Sequence, residues 1–333
     1  MSIKKKLFLL LISLTLFVYQ TPSEANKHKA YQTQEIETRW VDDSDGVSYY
    51  LRANHLREEP LFNSFDRSYF DSHLLPNGPI TFRNHPEQSV DSSKLSQEIE
   101  ELMVELREGQ KEFTNFTILK DREFNRDEFA GLIVLKSNNY PFVVKLFIEN
   151  PESFLHPEHK GFRHGCMSKM TGGLNRYLAG FSRISNLEFA QQFVNCQKLP
   201  LKLDFPRKWF WQPKNNRWFE LSGINFSEHG QTLSTQLPNV YAIIADEIVC
   251  HKRLSQIRKT HGRLIFRLCQ EFKFQIDPNM KNFRLEDETK KLVLIDTEHF
   301  PSVLGFKGEI SADNYFSLHI KMGLKAIYDC WLS

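Results

Sequence analysis

The sequence predicts an α+β protein, in which a group of strands comes before a group of helices. Apolar residues recur at helical spacing among glutamates from residue 94 to 107, which predicts an early amphipathic helix. Five segments of strand character follow, and the pattern changes to helical periodicity after Gly230. Because strands and helices are grouped rather than alternating, the sheet is expected to be antiparallel.

The first 25 residues have the pattern of a secretory signal peptide. Lysines at positions 4 to 6 precede an apolar run over residues 7–18, and Ala25 lies at a small-residue cleavage position. About a dozen apolar residues is short of the roughly 20 that a membrane-spanning helix needs. We therefore predict cleavage after Ala25 and export to a periplasmic or secreted location, with no stable membrane span afterwards.

The next region, residues 26–93, is polar and rich in Asp, Ser and His. It is predicted to be an irregular N-terminal extension that wraps another surface. After the helix at 94–107, three strands are predicted at 113–120, 129–136 and 142–149, separated by polar turns. Their short connections predict an antiparallel meander.

A helix is predicted at 174–193, followed by strands at 208–212 and 217–224. The polar turn at 213–216 is expected to join these two strands as a hairpin. The remaining predicted elements are helices at 237–250, 254–269 and 312–331, and strands at 282–285 and 291–296.

The charge distribution excludes some classes of partner. The net charge is only +2, and both signs are interspersed, which argues against a nucleic-acid surface and against a polybasic membrane patch. The five cysteines are widely spaced and odd in number, so a disulfide framework is not expected. Most of them are predicted to be buried small apolar residues.

Three oxygen-bearing side chains lie around a short predicted hairpin near the end of the chain. They are Asp277, Asn282 and Asp296, and an apolar strand leads directly to Asp296. Phosphoryl transfer needs a carboxylate to orient the attacking hydroxyl and hard oxygen ligands to hold magnesium on the nucleotide phosphates. The residue types in this segment therefore suit that chemistry.

These residues resemble the protein-kinase-like superfamily. Asp277 and Asn282 stand five apart, as in the catalytic loop HRDxxxxN, and Asp296 follows fourteen residues after Asn282, near the kinase DFG spacing. The sequence from Leu294 to Glu298 is closer to the "IDxE" motif of choline kinases and aminoglycoside phosphotransferases than to DFG. Gln275 precedes the loop where the kinase motif has His, so the resemblance is to a divergent member.

The resemblance implies a bilobed fold, with a five-stranded antiparallel N-lobe sheet in residues 94–225 and a reduced helical C-lobe in 226–333. It also implies transfer of the ATP γ-phosphate to a hydroxyl of a small-molecule or protein acceptor. Asp277 would orient that hydroxyl, while Asn282 and Asp296 would hold Mg²⁺ or Mn²⁺.

A second match lies upstream, in the third predicted strand. Lys145 in Phe-Val-Val-Lys-Leu corresponds to the lysine strand VAIK, whose lysine meets the α- and β-phosphates. The resemblance implies an acidic partner for Lys145 from a helix, and Glu188 is the best-placed candidate, with Glu158 as a rival. It also implies a nucleotide-binding hinge around Glu220 and Ser222.

Other interpretations stay open. The turn at 121–128 contains no glycine to bring backbone amides close to phosphates, and only Gly131 is nearby. A non-catalytic pseudokinase or binding protein that uses the same cleft is therefore an alternative to an active enzyme. His156, His159 and His164 invite a zinc interpretation, but their spacing is unspecific and favours a polar surface loop.

Overall fold

The computed structural model describes residues 34–53, 65–155, 172–196, 203–224, 232–250 and 254–300. The predicted signal peptide, the histidine-rich segment and the last predicted helix lie outside these ranges. Within them, no helix is long and apolar enough to cross a membrane. The described chain is α+β, with mainly antiparallel sheets and few helices, in agreement with the predicted class.

The elements are numbered in chain order. The first strands and helices are β1 (Gln34–Trp40), β2 (Tyr49–Ala53), α1 (Arg67–Ser72), β3 (Pro79–Thr81), β4 (Ser89–Asp91), α2 (Ser92–Arg107), β5 (Phe116–Asn125), β6 (Ala130–Ser137) and β7 (Phe142–Ile148). The next are α3 (Pro151–Leu155), α4 (Gly172–Cys196), β8 (Leu203–Asp204), β9 (Lys208–Trp211), β10 (Trp218–Ile224), β11 (Thr232–Pro238) and β12 (Val240–Asp246). The last are α5 (Leu254–Glu271), a 3₁₀ turn (Met280–Asn282), β13 (Phe283–Leu285) and β14 (Leu292–Leu294).

A five-stranded sheet in the order β5-β6-β7-β12-β9 carries the site. All of its neighbouring strands are antiparallel. The predicted meander is confirmed as β5, β6 and β7, which pair in sequence order. Because β7 is the middle strand, its side chains stand near the middle of the two faces of the sheet.

The two faces of this sheet pack against different helices. Phe142, Val144 and Leu146 are fully buried on one face, together with the apolar stripe of α2. Phe147 belongs instead to the cluster formed with α4. Because side chains alternate along a strand, Lys145 lies on the same face as Phe147, as the alternation in the sequence predicted.

The hairpin between β5 and β6 is irregular. β5 extends through residues 121–125, which were predicted to be a turn, and its register shifts twice against β6. Gly131 has φ +115°, and a Cβ there would lie 2.2 Å from the carbonyl oxygen of Glu123. This position therefore requires glycine, since a side chain would collide with the neighbouring backbone.

A second sheet corrects two predictions. Residues 26–93 were expected to be irregular, but β1 and β2 pair with each other, and β1 also pairs with β10 in the order β11-β10-β1-β2. β9 and β10 do not form the predicted hairpin, because β9 pairs with β12 while β10 pairs with β1 and β11. The pairing of β9 and β10 is therefore set by strands distant in sequence and not by the turn between them.

The predicted helix at 237–250 is wrong. Residues in this range form the end of β11 and all of β12, and every residue of β12 is buried. A short, continuous apolar run is compatible with a buried helix or with a strand covered on both faces. Here the run fills the gap between β7 and β9, so it is a strand.

A third apolar cluster surrounds the hairpin β13–β14. The C-terminal half of α4 packs there against α5, whose prediction at 254–269 is confirmed. Arg83, near β3, contacts Glu286 of this hairpin through Nε at 3.2 Å, and a terminal nitrogen contacts Asp204 of the neighbouring strand β8 at 2.9 Å. Since Glu286 is 1% exposed, these contacts fix the hairpin against the first part of the chain.

The buried carboxyl group of Glu149, just after β7, predicts a pH-dependent stability. Glu149 is 1% exposed, its Oε2 accepts from Ser153 at 2.7 Å, and burial raises its pKa from 4.5 to about 8. The folded state keeps a proton that the unfolded state loses, so the free energy of unfolding falls as pH rises from 4.5 to about 8. In Glu149→Gln this part of the decline should disappear.

The measurement is the thermal unfolding midpoint of both proteins across that pH interval. Glu112→Gln, at an exposed position, is the matched control and should keep the wild-type pH slope. A Glu149→Gln protein with the wild-type slope would show that Glu149 does not carry the effect.

Candidate functional site

An ion pair between Lys145 and Asp296 joins the five-stranded sheet to the end of the hairpin. Lys145 projects from the middle of β7, and Asp296 follows β14 by two residues. The Nζ of Lys145 lies 3.0 Å from Oδ2 of Asp296, and these side chains are 16% and 27% exposed. Lys145 and Asp296, both predicted to belong to one site, are therefore in contact.

Arg183, on α4, holds the other side of Asp296. Its Nε donates to Oδ1 of Asp296 at 3.1 Å, and Nη2 donates to Oε1 of Glu298 at 2.6 Å. The side chain is 2% exposed, and the guanidinium lies 5.3 Å from the centre of the Phe147 ring. Because a guanidinium stays charged, Arg183 is a permanent buried cation beside two acids.

Lys208 is the third basic side chain of the site. It starts β9, is 7% exposed, and its Nζ donates to Oγ1 of Thr297 at 2.7 Å. The hydroxyl of Thr297 in turn donates to the backbone carbonyl of Arg183. Thr297 thereby links strand β9 to helix α4.

Helix α4 also fixes the backbone on both sides of the site. The Nδ2 of Asn186 donates to the carbonyl of Gln275 at 3.1 Å and to the carbonyl of Thr297 at 3.0 Å. Asn186 is 5% exposed, so these bonds are shielded from water. One amide therefore positions the segment that enters the Asp277 loop and the segment that leaves Asp296.

The loop from Asp277 to Asn282 packs against the strand leading to Asp296. The Nδ2 of Asn282 donates to the carbonyl of Asp277 at 3.0 Å. The backbone carbonyl of Asn282 accepts from the amide of Ile295 at 2.8 Å and from the amide of Asp296 at 3.4 Å. The predicted oxygen-bearing residues are therefore neighbours, with Asp277 and Asn282 both partly exposed.

The charges in this site shift one another's ionisation. Burial would raise the pKa of Asp296, but Lys145, Arg183 and Lys208 hold it well below its usual range. Burial lowers the pKa of Lys145, and Asp296 opposes this while Arg183 adds to it. Burial, followed by the positive charge of Lys145, lowers the pKa of Lys208 well below its usual value. The two lysines therefore lie in surroundings that disfavour further positive charge.

Glu188, the helical partner expected for Lys145, contacts other residues instead. Glu188 lies on α4 as predicted, but its Oε2 accepts from the Tyr69 hydroxyl at 2.7 Å and its Oε1 lies 3.1 Å from Nε2 of His73. Burial and then Glu188 raise the pKa of Tyr69. Glu188 therefore ties α4 to α1, and Asp296 takes the position at Lys145.

The segment predicted to be a nucleotide-binding hinge belongs to a different sheet from Lys145. Glu220 and Ser222 lie within β10, in the other sheet, where Glu220 meets Arg39 at 3.3 Å and accepts from Ser234 at 2.7 Å. The strand that leaves the sheet beside Lys145 is β12, with Ile243 opposite Lys145. Residues 247–250 follow directly after β12.

Sequence reasoning missed Arg183 and Lys208, although each leaves a signal. Arg183 is a charged residue on a helix face whose other members include Leu187 and Ala190, both buried. Lys208 directly precedes the aromatic residues Trp209, Phe210 and Trp211 of its strand. A charge on an otherwise buried face needs a partner, and both features indicate a site.

The described ranges contain no group of three or more His, Cys, Asp or Glu side chains arranged to hold a metal ion. Comparison of the chain with protein-family models, with curated proteins and with solved structures finds no match.

Asp296→Asn should destabilise the fold strongly, because it removes the ion-pair partner of Lys145 and leaves the buried Arg183 with Glu298 as its remaining acidic contact. Removal of one partner from a buried ion pair costs about 3–5 kcal/mol. Denaturant unfolding measures the loss. The matched control is Glu220→Gln in the exposed pair with Arg39, for which a change of at most about 1 kcal/mol is expected. Equal losses in both variants would mean that Asp296 is no more important than a surface charge.

Proposed function

We propose that this protein is an exported phosphotransferase of the protein-kinase-like type, which binds ATP between the five-stranded sheet and the β13–β14 hairpin. The observation that carries the proposal is the 3.0 Å contact between Lys145 and Asp296. A lysine on the middle strand and an acid after a distant hairpin were chosen from sequence motifs, and they meet in one partly exposed place.

Two further features support the proposal. The sheet is antiparallel and five-stranded, with the lysine on its third strand. The loop bearing Asp277 and Asn282 is hydrogen bonded to the backbone of Asp296. The three residues occur along the chain in the order acid, amide, acid, as in the superfamily. A bilobed arrangement belongs to the same proposal.

In this function, Lys145 neutralises phosphate oxygens of the nucleotide, and Asp277 orients the acceptor hydroxyl and accepts its proton. Asn282 holds the loop through the Asp277 carbonyl. The adenine base lies against residues 247–250 rather than against Glu220 and Ser222. The acceptor is a small molecule or a protein, and catalysis rests on positioning and charge.

Asp296 and Asn282 have the oxygen donors that Mg²⁺ and Mn²⁺ prefer. Their present contacts do not fit a divalent ion, because both oxygens of Asp296 accept from cations. A metal ion held by this pair would require Arg183 or Lys145 to give up its contact.

The second candidate function is a non-catalytic protein that binds a nucleotide or another partner in the same cleft. The occupied carboxylate of Asp296 favours it, as does the absence of glycine from the turn at 126–129. Both functions share the binding step, and they differ in the use of Asp277.

Asp277→Asn should separate binding from transfer. In the proposed mechanism Asp277 accepts the proton of the acceptor hydroxyl, so its amide variant should bind ATP as the wild type does while losing transfer by about 10²–10⁴-fold. Binding is measured by the thermal shift of the mature chain with ATP and MnCl₂, since a ligand of the native state raises its stability. Transfer is measured as release or incorporation of the γ-phosphate.

Lys281→Gln, an exposed change in the same loop, is the control and should leave both readouts unchanged. Absence of any ATP-dependent shift in the wild type would refute the proposed function. Binding without transfer in the wild type would favour the non-catalytic alternative.

A further inference from the structure

Within the described part of the chain, three basic side chains from three different elements meet two acids at this site. Lys145 comes from β7, Arg183 from α4 and Lys208 from β9, and they face Asp296 and Glu298. The Nζ of Lys208 donates to the hydroxyl of Thr297, at 2.7 Å, rather than to a carboxylate. The basic side chains therefore outnumber the acids that contact them.

Arg183 contacts both acids at once. It spans Asp296 and Glu298 with two donors, at 3.1 Å and 2.6 Å, and cannot lose its own charge. Its remaining terminal nitrogen, Nη1, is buried and has no hydrogen-bond partner among the described residues. With both acids shared in this way, the charge of Lys145 is only partly balanced.

This arrangement attracts an anion and repels a second cation. A divalent ion entering at Asp296 would meet three basic groups and would compete with two of them for the same carboxylate. A polyphosphate at the partly exposed side of Lys145 would instead complete the charge balance.

We propose that this cluster binds a polyphosphate group without a divalent metal, and that Arg183 is the positioning residue that makes this possible by occupying Asp296 and Glu298. The inference rests on the proposed function and deepens it. The ligand class is a pyrophosphate-like anion, either free or as part of a nucleotide. Lys145 contacts it directly, and Arg183 acts through the two acids.

The experiment is an isothermal titration of the mature chain with pyrophosphate in excess EDTA. Wild-type protein should bind saturably. Arg183→Gln frees both acids to neutralise the lysines, so its affinity in EDTA should fall by at least about tenfold. Added MnCl₂ should restore binding in this variant, because the vacated carboxylates can then hold the metal. Arg183→Lys keeps the charge and should fall between the two.

Arg39→Gln removes an exposed arginine charge elsewhere and should bind pyrophosphate like the wild type. Should Arg183→Gln fail to fold, Lys208→Gln tests the same cluster and should also weaken binding in EDTA. The inference is overturned if wild-type protein needs Mn²⁺ to bind pyrophosphate, or if folded variants of both residues bind normally.

Competition with ATP separates this inference from the proposed function. Displacement of pyrophosphate by ATP in EDTA supports both. Pyrophosphate binding that ATP does not displace supports the anion site and argues against a nucleotide function. ATP binding that requires Mn²⁺, without pyrophosphate binding in EDTA, preserves the proposed function and refutes the metal-free site.

Discussion

The carboxylate of Asp296 is the constraint on which the arrangement of this protein depends. One of its oxygens meets Lys145 on the central sheet, and the other meets Arg183 on α4. Buried or half-buried charges are costly unless each has a partner. Sheet, helix and hairpin must therefore hold one relative position, or at least one charge loses its counter-charge. The side chains of Asn186 and Thr297, which donate to backbone carbonyls, reinforce that position with neutral hydrogen bonds.

Such a cluster is poorly explained by stability alone. Replacement of a buried ion pair by apolar residues is often neutral or stabilising, because burial of charge costs nearly as much as pairing returns. Here Arg183 and Lys208 are both less than a tenth exposed, while Lys145 and Asp296 keep some access to solvent. A charged cluster with one side buried and the other accessible to solvent suits binding of a charged ligand better than it suits a purely structural role in the core.

The sequence predicted those parts of the fold and site that depend on local pattern. Strand β7 with Lys145 on one face, helices α2 and α5, and the order Asp277, Asn282, Asp296 all follow from spacing along the chain. The separation of β9 from β10 and the strand character of β12 depend on partners distant in sequence, which no local pattern encodes. Glu188 was misassigned for the same reason, because α1, which supplies its partners, lay in a region expected to be irregular.

The role of Arg183 depends both on local sequence and on contacts with distant residues. Its position on a helix face is local, but its consequence arises only where α4 crosses the hairpin. The same helix fixes Gln275 and Thr297 through Asn186, so moving Arg183 away from Asp296 as a rigid part of α4 would also strain those bonds. Entry of a metal ion at Asp296 would require Arg183 to leave the carboxylate by itself, or α4 to shift with it. A phosphate anion that approaches Lys145 requires neither change, and the geometry therefore favours the anion as the first ligand of this site.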